Sequence, residues 1–244
     1  MTDGVLLIHA FPMDARMWDS QREALGGVPL AAPHLPGFGG AAPAGDTMTM
    51  ATAADRCVQA LDEAGIGKAM VCGLSMGGYV AFELWRSAPE RVGGLVLANT
   101  RAGADTEEGA AGRRKLAERL RAEGSGFLVG SPPPLLGAEA SDELQKWVRA
   151  VIADQPADAI AAASLGMAER ADSTTDLAGI DVPSLVVTSD GDTLIPQEVS
   201  APMAEQIPGA ELAVIAGAGH LSNLERPGEF SELLVAHAER CGIA

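Results

Sequence analysis

The sequence predicts an α/β protein with a mostly parallel sheet of about six strands flanked by helices. Short apolar segments rich in Val, Leu and Ile alternate with longer segments that carry apolar residues at helical spacing. This alternation is typical of parallel strands joined by crossover helices. Between about residues 101 and 179 the alternation stops, and the sequence is mostly helical. We therefore expect residues 1–100 and 180–244 to form the core, and residues 101–179 to form a helical cap inserted in that core.

The individual elements follow from local patterns. Strands are predicted where a short apolar run ends at a turn-forming or polar residue; in chain order they cover residues 5–8, 28–32, 68–72, 92–98, 182–188 and 211–215. Core helices are predicted where apolar residues recur every three or four positions; they cover residues 14–24, 50–64, 78–86 and 230–236. Within the cap, prolines at 132–134 separate helical runs at 113–120 and 144–148. Because proline interrupts helices, we expect several short cap helices.

The pentapeptide Gly73-Leu74-Ser75-Met76-Gly77 lies between a predicted strand and a predicted helix. Its Gly-x-Ser-x-Gly pattern is that of a nucleophile elbow, in which a serine occupies a strained strand-to-helix turn. Glycine two residues before and after the serine leaves the space that Cβ atoms would fill. An ordinary turn is the alternative, but strand, turn and helix are the context that the motif requires. The pattern therefore predicts Ser75 as nucleophile and the N–H of Met76 as an oxyanion donor.

A serine nucleophile needs an acid and a histidine base, which follow it along the chain in that order in this architecture. Asp190 and Asp192 both lie just after the strand predicted at residues 182–188. The carboxyl ends of parallel strands are where ligands bind in open α/β sheets, so both aspartates are candidates for the acid. Either one is also suited to cap the helix that follows.

The base is chosen from only four histidines. His237 belongs to the terminal helix, where we expect a surface position, and His34 lies in a loop rich in proline and glycine. His9 follows the first predicted strand and belongs to a different element. His220 follows the last predicted strand in the turn Gly-Ala-Gly-His, and is therefore the predicted base.

Taken together, these motifs resemble those of the α/β-hydrolase superfamily. Its members commonly carry Gly-x-x-Asp-x-x-x-Pro after this strand, and the spacing from Asp192 to Pro196 matches the second half of that pattern. The resemblance therefore favours Asp192 as the acid, with Asp190 as the alternative. The turn that ends at His220 and the following Asn-Leu-Glu-Arg-Pro at 223–227 match the histidine loop of the family.

The resemblance extends to the loop after the first strand. His9-Ala10-Phe11-Pro12 is similar to the His-Gly-Phe-Pro loop of the family, with alanine in place of glycine. It implies that the N–H of Phe11 is the second oxyanion donor and that His9 braces this loop without transferring protons. Relatives usually begin with two antiparallel strands, whereas only residues 1–4 precede the first strand here. We therefore expect an all-parallel sheet with the strand near 28–32 at its edge; dimerisation through that edge is a hypothesis.

Substrate contacts are predicted from the cap and from the oxyanion loop. The apolar candidates are Trp18, Phe127, Leu128, Trp147 and Met167. Arg101, at the junction between strand and cap, and Arg170, within the cap, are the candidates for binding a carboxylate. Surface salt bridges are the alternative for both arginines, and ordinary packing is the alternative for the apolar residues.

Composition narrows the function further. A net charge of −16 argues against nucleic acid as a partner. No apolar run is long enough to span a membrane, and the N-terminus does not resemble a secretory signal. Cys57, Cys72 and Cys241 are odd in number and lack metal-binding spacing, which favours a reducing, cytoplasmic location and predicts no metal or other cofactor.

The activity expected from these features is hydrolysis of small carboxylic esters or lactones through an acyl-enzyme. The oxyanion loop is most similar to that of 3-oxoadipate enol-lactonase-like hydrolases and related carboxylesterases. Two alternatives stay open at this point. One is a hydrolase of carbon–carbon bonds in ring-cleavage products, and the other is a ligand-binding regulatory protein on a hydrolase scaffold.

Overall fold

The computed structural model of the chain describes residues 1–243, and a six-stranded sheet lies at its centre. The strands are β1 (Thr2–Ile8), β2 (Leu30–Ala31), β3 (Ile66–Leu74), β4 (Val92–Ala98), β5 (Ser184–Ser189) and β6 (Glu211–Ile215). Their order is β2-β1-β3-β4-β5-β6, and each neighbouring pair is parallel. The predicted all-parallel sheet of six strands is therefore confirmed.

Helices connect and cover these strands. Within residues 1–243 the α-helices are α1 (Asp19–Ala24), α2 (Met50–Glu63), α3 (Met76–Ser87), α4 (Glu107–Glu123), α5 (Gly126–Gly130), α6 (Asp142–Ala153), α7 (Ala157–Ala168), α8 (Gln197–Ser200), α9 (Pro202–Gln206), α10 (Ser222–Glu225) and α11 (Pro227–Arg240). Short 3-10 helices occur at Ala15–Trp18, Pro89–Arg91 and Thr174–Gly179. The helix predicted at residues 14–24 is thus a 3-10 turn followed by α1.

The central strands are apolar because helices cover both faces of a parallel sheet. All six residues of β5 are buried, as are the last six residues of β3. At the edge, β6 is only partly covered, and Leu212 and Val214 are 44% and 39% exposed. A membrane-spanning helix is not found among residues 1–243, since none of their helices is both long and apolar enough.

The opposite edge is β2, which lies where the sequence predicts an edge but has only two residues. Pro29 and Pro33 flank it, and proline lacks the N–H that would extend the ladder. The carbonyl of Pro29 still accepts a hydrogen bond from the N–H of Val5 at 2.8 Å. The edge position agrees with the prediction, and dimerisation through it stays a prediction.

The helices α4 to α7 form one inserted segment between β4 and β5. Helix α4 packs against α7, and α5 packs against α6. Two N-caps begin these helices, since the side chains of Thr106 and Ser141 accept hydrogen bonds from the N–H groups of Gly109 and Leu144. The segment ends in the 3-10 helix at Thr174–Gly179, which leads into β5.

His237 corrects one prediction, because this residue is buried and does not lie at the surface. Helix α11 continues to Arg240, and Phe230, Leu234 and His237 fall on its buried side. The ring Nε2 of His237 lies 3.3 Å from the carbonyl oxygen of Pro183. Burial lowers the pKa of His237, so the neutral ring is favoured inside the protein.

Candidate active site

Ser75 occupies a strained turn between β3 and α3. Its φ is 56° and its ψ is −114°, a conformation that costs a residue with a side chain of the order of 1–3 kcal/mol. The backbone around it is fixed by hydrogen bonds. The N–H of Ser75 donates to Ala98 O at 2.9 Å, and its carbonyl accepts from Gly78 N at 2.9 Å and from Thr100 Oγ1 at 2.8 Å. Strand β4 therefore holds the turn from one side.

The flanking glycines are required by close backbone contacts. A Cβ at Gly73 would overlap the carbonyl oxygen of Gly77, and a Cβ at Gly77 would overlap the carbonyl oxygen of Ile8. Neither obstacle is a flexible side chain, so an added methyl group would force the backbone to move. This is the clearance that the Gly-x-Ser-x-Gly spacing predicts.

Asp192 and His220 form a buried pair at the carboxyl edge of the sheet. Nδ1 of His220 lies 2.8 Å from Oδ2 of Asp192, and both side chains are almost fully buried. The other carboxylate oxygen, Oδ1, accepts hydrogen bonds from the N–H groups of Leu194 and Ile195, each at 2.9 Å. An ionised carboxylate only accepts, so Nδ1 of His220 donates the proton and Nε2 is left as the acceptor.

The protonation state of Asp192 follows from these contacts. Burial by itself would raise the pKa of its carboxyl group. His220, the N–H of Ile195 and the amide of Asn99 outweigh that effect and hold the pKa of Asp192 below its ordinary value. Asp192 is therefore ionised at neutral pH, as an acid that orients a histidine must be.

Asp190, the alternative acid, has a different role in the structure. It is exposed, and its Oδ1 accepts a hydrogen bond from Gly217 N at 2.7 Å. That bond ties the end of β5 to the turn before His220. Asp192, and not Asp190, therefore pairs with His220.

Asn99 is a site residue that the sequence analysis missed. Its amide Nδ2 donates to Oδ2 of Asp192 at 3.0 Å and to Ser189 Oγ at 2.7 Å, and its Oδ1 accepts from Ser222 Oγ at 2.6 Å. Ser189 Oγ in turn donates to the carbonyl of Gly219 at 2.6 Å. The only signal in the sequence is the position of Asn99, directly after a predicted strand.

Glu225 is a second residue that was missed. Its carboxylate accepts hydrogen bonds from Gly219 N at 2.8 Å and from Gly137 N at 3.0 Å. Burial raises its pKa, and the two N–H groups offset this only partly. Glu225 thereby fastens the backbone beside His220 to the loop between α5 and α6. The bond from Leu221 N to Leu135 O, at 2.9 Å, joins the same two segments.

The two predicted oxyanion donors are both free of hydrogen-bond acceptors from residues 1–243. Within residues 1–243, the backbone N–H groups of Phe11 and Met76 donate no hydrogen bond. Met76 begins α3, and Phe11 follows β1, which is the direct neighbour of β3. Both N–H groups therefore lie at the same edge of the sheet as Ser75.

His9 braces the loop that carries Phe11. Its Nδ1 lies 3.0 Å from Ala10 O, and its Nε2 accepts a hydrogen bond from Leu35 N at 3.0 Å. Burial lowers the pKa of His9 to about 4, and the bond to Ala10 opposes this only partly. The ring is therefore neutral, with its proton on Nδ1, and it joins two loops without facing the cavity.

A cavity of about 330 Å³ lies beside Ser75 and His220. It is lined by Phe11, Ser75, Tyr79, Arg101, Arg113, Leu116, Leu128, Pro133, Leu135, Met167, Leu194, Ile195 and His220. Six of these residues come from the inserted segment, between Arg113 and Met167. Most of the lining residues are Phe, Leu, Ile, Met or Pro, so the wall is mostly apolar. Such walls are typical of sites for small organic molecules.

Several predicted substrate contacts agree with this wall and others do not. Arg101, Leu128 and Met167 line the cavity. Trp18 does not, because it is 0% exposed and packs against Phe230 with ring centroids 5.9 Å apart. The prediction that Trp18 contacts substrate is therefore wrong.

Two further predicted contacts lie outside the cavity wall. Phe127 packs beneath the guanidinium of Arg119, which lies 3.7 Å from the ring centroid. Trp147, on α6, is half-buried against the hydrophobic core. Helical periodicity does not separate a residue that packs between helices from one that faces a cavity, which is why both were predicted to do the latter.

The side chain of Arg170 makes contacts that stabilise the inserted segment. Its guanidinium pairs with Asp105 at 2.8 Å and lies 4.1 Å from the ring centroid of Tyr79. Asp105 also pairs with Arg113. Arg170 is nearly fully buried by these contacts, so its predicted role in carboxylate binding is not supported.

Cys72, which lies in the strand before the elbow, is a core residue. It is fully buried in β3, and burial raises the pKa of its thiol. Burial likewise raises the pKa of Cys57 to about 12. A thiol that stays protonated is a poor nucleophile, so neither cysteine is a candidate for that role.

The match to known families agrees with this geometry. Residues 5–233 match the sequence model described as the alpha/beta hydrolase family. The chain belongs to the alpha/beta hydrolase family. The fold that the sequence predicts, with its parallel sheet flanked by helices, is therefore confirmed.

Individual relatives of this hydrolase include esterases and a lactonase. It is similar to a thermophilic esterase from Thermogutta terrifontis, solved with malate bound, with a TM-score of 0.94, 37% identity and coverage of 99% of this chain and 90% of that one. An enol-lactonase from Burkholderia xenovorans LB400 gives a TM-score of 0.88, 25% identity and coverage of 98% and 92%. A pimeloyl-acyl-carrier-protein methyl ester esterase from Yersinia pseudotuberculosis is 26% identical over an alignment of 253 positions that covers 96% of this chain and 93% of that one.

A cluster of metal ligands is not found in the described part of this hydrolase. Among residues 1–243, no three His, Cys, Asp or Glu side chains are grouped as metal ligands would be. The absence of a metal or other cofactor stays a prediction.

Proposed function

We propose that this protein is a serine hydrolase that cleaves small carboxylic esters or lactones. The observation that carries the proposal is the arrangement at one cavity. Ser75, strained at φ 56°, shares the cavity with His220, whose Nδ1 lies 2.8 Å from the buried Asp192. A nucleophile, a base and an acid that orients the base are the three parts that nucleophilic acyl transfer needs.

In the first half-reaction, Ser75 Oγ attacks the carbonyl carbon of the substrate. Nε2 of His220 takes the hydroxyl proton, and Asp192 holds the proton on Nδ1 and stabilises the imidazolium. The carbonyl oxygen becomes an oxyanion and accepts hydrogen bonds from the N–H groups of Phe11 and Met76. Both groups lack other partners within residues 1–243, so binding the oxyanion costs no existing hydrogen bond. Loss of one such donor costs about 2.7–4 kcal/mol of transition-state stabilisation.

Collapse of the intermediate breaks the bond between the carbonyl carbon and the alkoxy oxygen. His220 donates its proton to the leaving alkoxide, and the acyl group stays on Ser75 as an ester. Water then enters, gives a proton to Nε2 of His220 and attacks the acyl carbon. The second tetrahedral intermediate then collapses: the bond between the acyl carbon and Ser75 Oγ breaks, His220 returns the proton to Oγ, and the carboxylic acid is released.

The helices α4 to α7 act in this proposal as a cap over the site. Leu116, Leu128, Leu135 and Met167 from this segment contribute to the apolar wall. Such a wall limits access of water to the acyl-enzyme and limits the size of the acyl group. The bonds from Glu225 and Leu221 to the loop at residues 135–137 hold the cap against the histidine loop.

Two points support small esters and lactones as the substrate class. A cavity of about 330 Å³ is near the lower end of the range for ligand pockets, so a short acyl chain fills it. The relatives named above are esterases of two kinds and an enol-lactonase. Both bond types present a carbonyl carbon bonded to an alkoxy oxygen, which the mechanism requires.

The test is steady-state hydrolysis of a panel of methyl and 4-nitrophenyl esters of two to eight carbons, with short lactones alongside. We expect turnover by the parent protein and a loss of at least about a thousandfold in kcat for Ser75→Ala. Ser87→Ala is the matched control, because Ser87 lies at the exposed end of α3 and should keep full activity. Turnover that survives in Ser75→Ala would contradict the proposal.

A further inference from the structure

Arg101 carries an unpaired charge at the wall of the active-site cavity. It follows β4 by three residues and lines the same cavity as Ser75 and His220. Its Nε is buried without a hydrogen-bond partner, and its guanidinium forms no ion pair with residues 1–243. A guanidinium stays protonated at any physiological pH, so a full positive charge faces this space.

Two other arginines nearby differ in being paired with a carboxylate, although the Nε of Arg170 is also buried without a hydrogen-bond partner. Arg113 and Arg170 both pair with Asp105, whose pKa burial would raise but the two arginines lower. No aspartate or glutamate of the described chain lines the cavity. Among residues 1–243, Arg101 is therefore the one guanidinium at the wall without an ion-pair partner, in a chain whose net charge is −16.

The position of Arg101 separates it from the reacting groups. A second cavity of about 330 Å³ adjoins the first, and the two share Arg101, Arg113 and Leu116 as lining residues. Ser75 and His220 line only the first cavity. Arg101 thus lies at the boundary towards the start of α4. A substrate whose carbonyl lies at Ser75 therefore shares its cavity with this guanidinium.

We propose that Arg101 binds a carboxylate at the far end of the substrate's acyl group. The preferred substrates are then half-esters of short dicarboxylic acids, or lactones that carry a carboxylate. The planar guanidinium matches a carboxylate in a bidentate pair, and one free guanidinium balances one negative charge. The acyl group stays bound through both half-reactions, so a contact with it assists both steps, whereas a contact with the alcohol assists only the first. The proposal rests on the serine hydrolase function proposed above.

The kinetic test compares monomethyl glutarate with methyl pentanoate, which replaces the free carboxylate by a methyl group. For the parent protein we expect kcat/KM to be at least about tenfold higher for the half-ester, since hydrogen bonds to charged groups are worth a factor of roughly 10–100. In Arg101→Gln this ratio of kcat/KM values should fall at least about tenfold, and Arg101→Lys should retain part of it. Arg114→Gln removes the same charge from an exposed position on α4 and should leave the ratio unchanged. A ratio that is the same in Arg101→Gln and the parent would overturn the proposal.

A binding measurement separates this proposal from the hydrolase function. Glutarate is titrated by calorimetry into Ser75→Ala and into Ser75→Ala combined with Arg101→Gln. Binding that weakens at least about tenfold on loss of Arg101 supports the carboxylate site, even if the parent hydrolyses no ester. The opposite result is that neutral esters are hydrolysed, but Arg101→Gln changes neither kcat/KM for the half-ester nor the affinity for glutarate. That result overturns the carboxylate site and leaves the hydrolase function intact. Thermal unfolding of each variant shows whether a loss reflects binding or folding.

Discussion

The amide of Asn99 donates a hydrogen bond to the same Asp192 oxygen that faces His220, at 3.0 Å on one side and 2.8 Å on the other. Asn99 directly follows β4 and has a φ of 42°, a left-handed conformation that asparagine adopts more readily than most residues. Its side chain also bonds to Ser189 and Ser222. Asn99 therefore positions the acid and connects it to the elements on both sides of His220.

Replacing Asn99 by aspartate tests this positioning role with little change in shape. Asn99→Asp exchanges a donor for a carboxylate directly beside Asp192, and two close carboxylates do not both ionise readily. At pH 8 we expect kcat to fall at least about tenfold. As the pH falls towards 6, the introduced carboxyl group takes up a proton and donates to Asp192 as the amide did, so the activity relative to the parent should rise. A pH profile of kcat for both proteins measures this ratio, and a ratio independent of pH would contradict the role given to Asn99.

The two aspartates after β5 should differ strongly on substitution. Asp192→Asn removes the carboxylate that fixes the tautomer of His220, and loss of that acid lowers kcat by about 10⁴-fold in a well-studied serine protease. Here we expect a loss of at least about a thousandfold. Asp190→Asn removes an exposed negative charge, keeps an oxygen that can accept from Gly217 N, and should change kcat less than about fivefold. Ester hydrolysis by the two variants decides between them, and the reverse order would assign the acid to Asp190.

Because the backbone at Ser75 is strained, we expect replacement of this residue by glycine to abolish activity and to raise the stability of the fold. Glycine adopts positive φ without a Cβ penalty, whereas alanine keeps the penalty. Both Ser75→Gly and Ser75→Ala should be inactive, but Ser75→Gly should be about 1 kcal/mol more stable, after allowance for the greater entropy of unfolded glycine. Urea unfolding of both variants measures the difference. Equal stabilities would argue against stored strain at the elbow.

His9 should make stability depend on pH between about 6.5 and 4. Burial lowers its pKa from 6.5 to about 4, so the unfolded chain binds a proton in this range that the folded chain does not. Stability from this group is therefore complete above pH 6.5 and is lost as the pH falls, by about 3 kcal/mol in total.

His9→Gln isolates that contribution. The variant should be less stable than the parent at pH 7.5, because it loses the contacts of the buried ring with Ala10 O and Leu35 N. Because glutamine does not titrate, this difference in stability should narrow as the pH falls towards 4.5. Urea unfolding of both proteins at several pH values follows this difference. Two stability curves that run parallel across this range would contradict the burial of a neutral His9.

The parts of the site that the sequence predicted are those fixed by short-range constraints. The elbow is an example, since Gly73 and Gly77 are demanded by backbone atoms within the motif and in the adjacent strand β1. Asp192 and His220 could be predicted because each lies in the turn after a strand, and parallel strands end at one edge; the choice of Asp192 over Asp190 came from the family resemblance. The parallel direction of the strands followed from the alternation of strands and helices, whereas their order is known only from the structure.

The parts that were missed depend on contacts between distant segments. Asn99 meets Asp192 across 93 residues, and Glu225 meets Gly137 across 88, so neither contact has a local pattern. Trp18 and His237 were misplaced for a related reason. Amphipathic spacing shows that a helix has a buried side, but not whether that side faces a cavity or the core.

The measurement that tests the central claim most directly is the intact mass of the protein after exposure to a small fluorophosphonate. An activated serine displaces fluoride and keeps the phosphonyl group, whereas an ordinary serine does not react. We predict one adduct on the parent and on Ser87→Ala, and none on Ser75→Ala. His220→Gln should react at least about a hundredfold more slowly, because the base is missing. An adduct that persists in Ser75→Ala, or a parent protein that hydrolyses esters but is never labelled, would contradict Ser75 as the nucleophile.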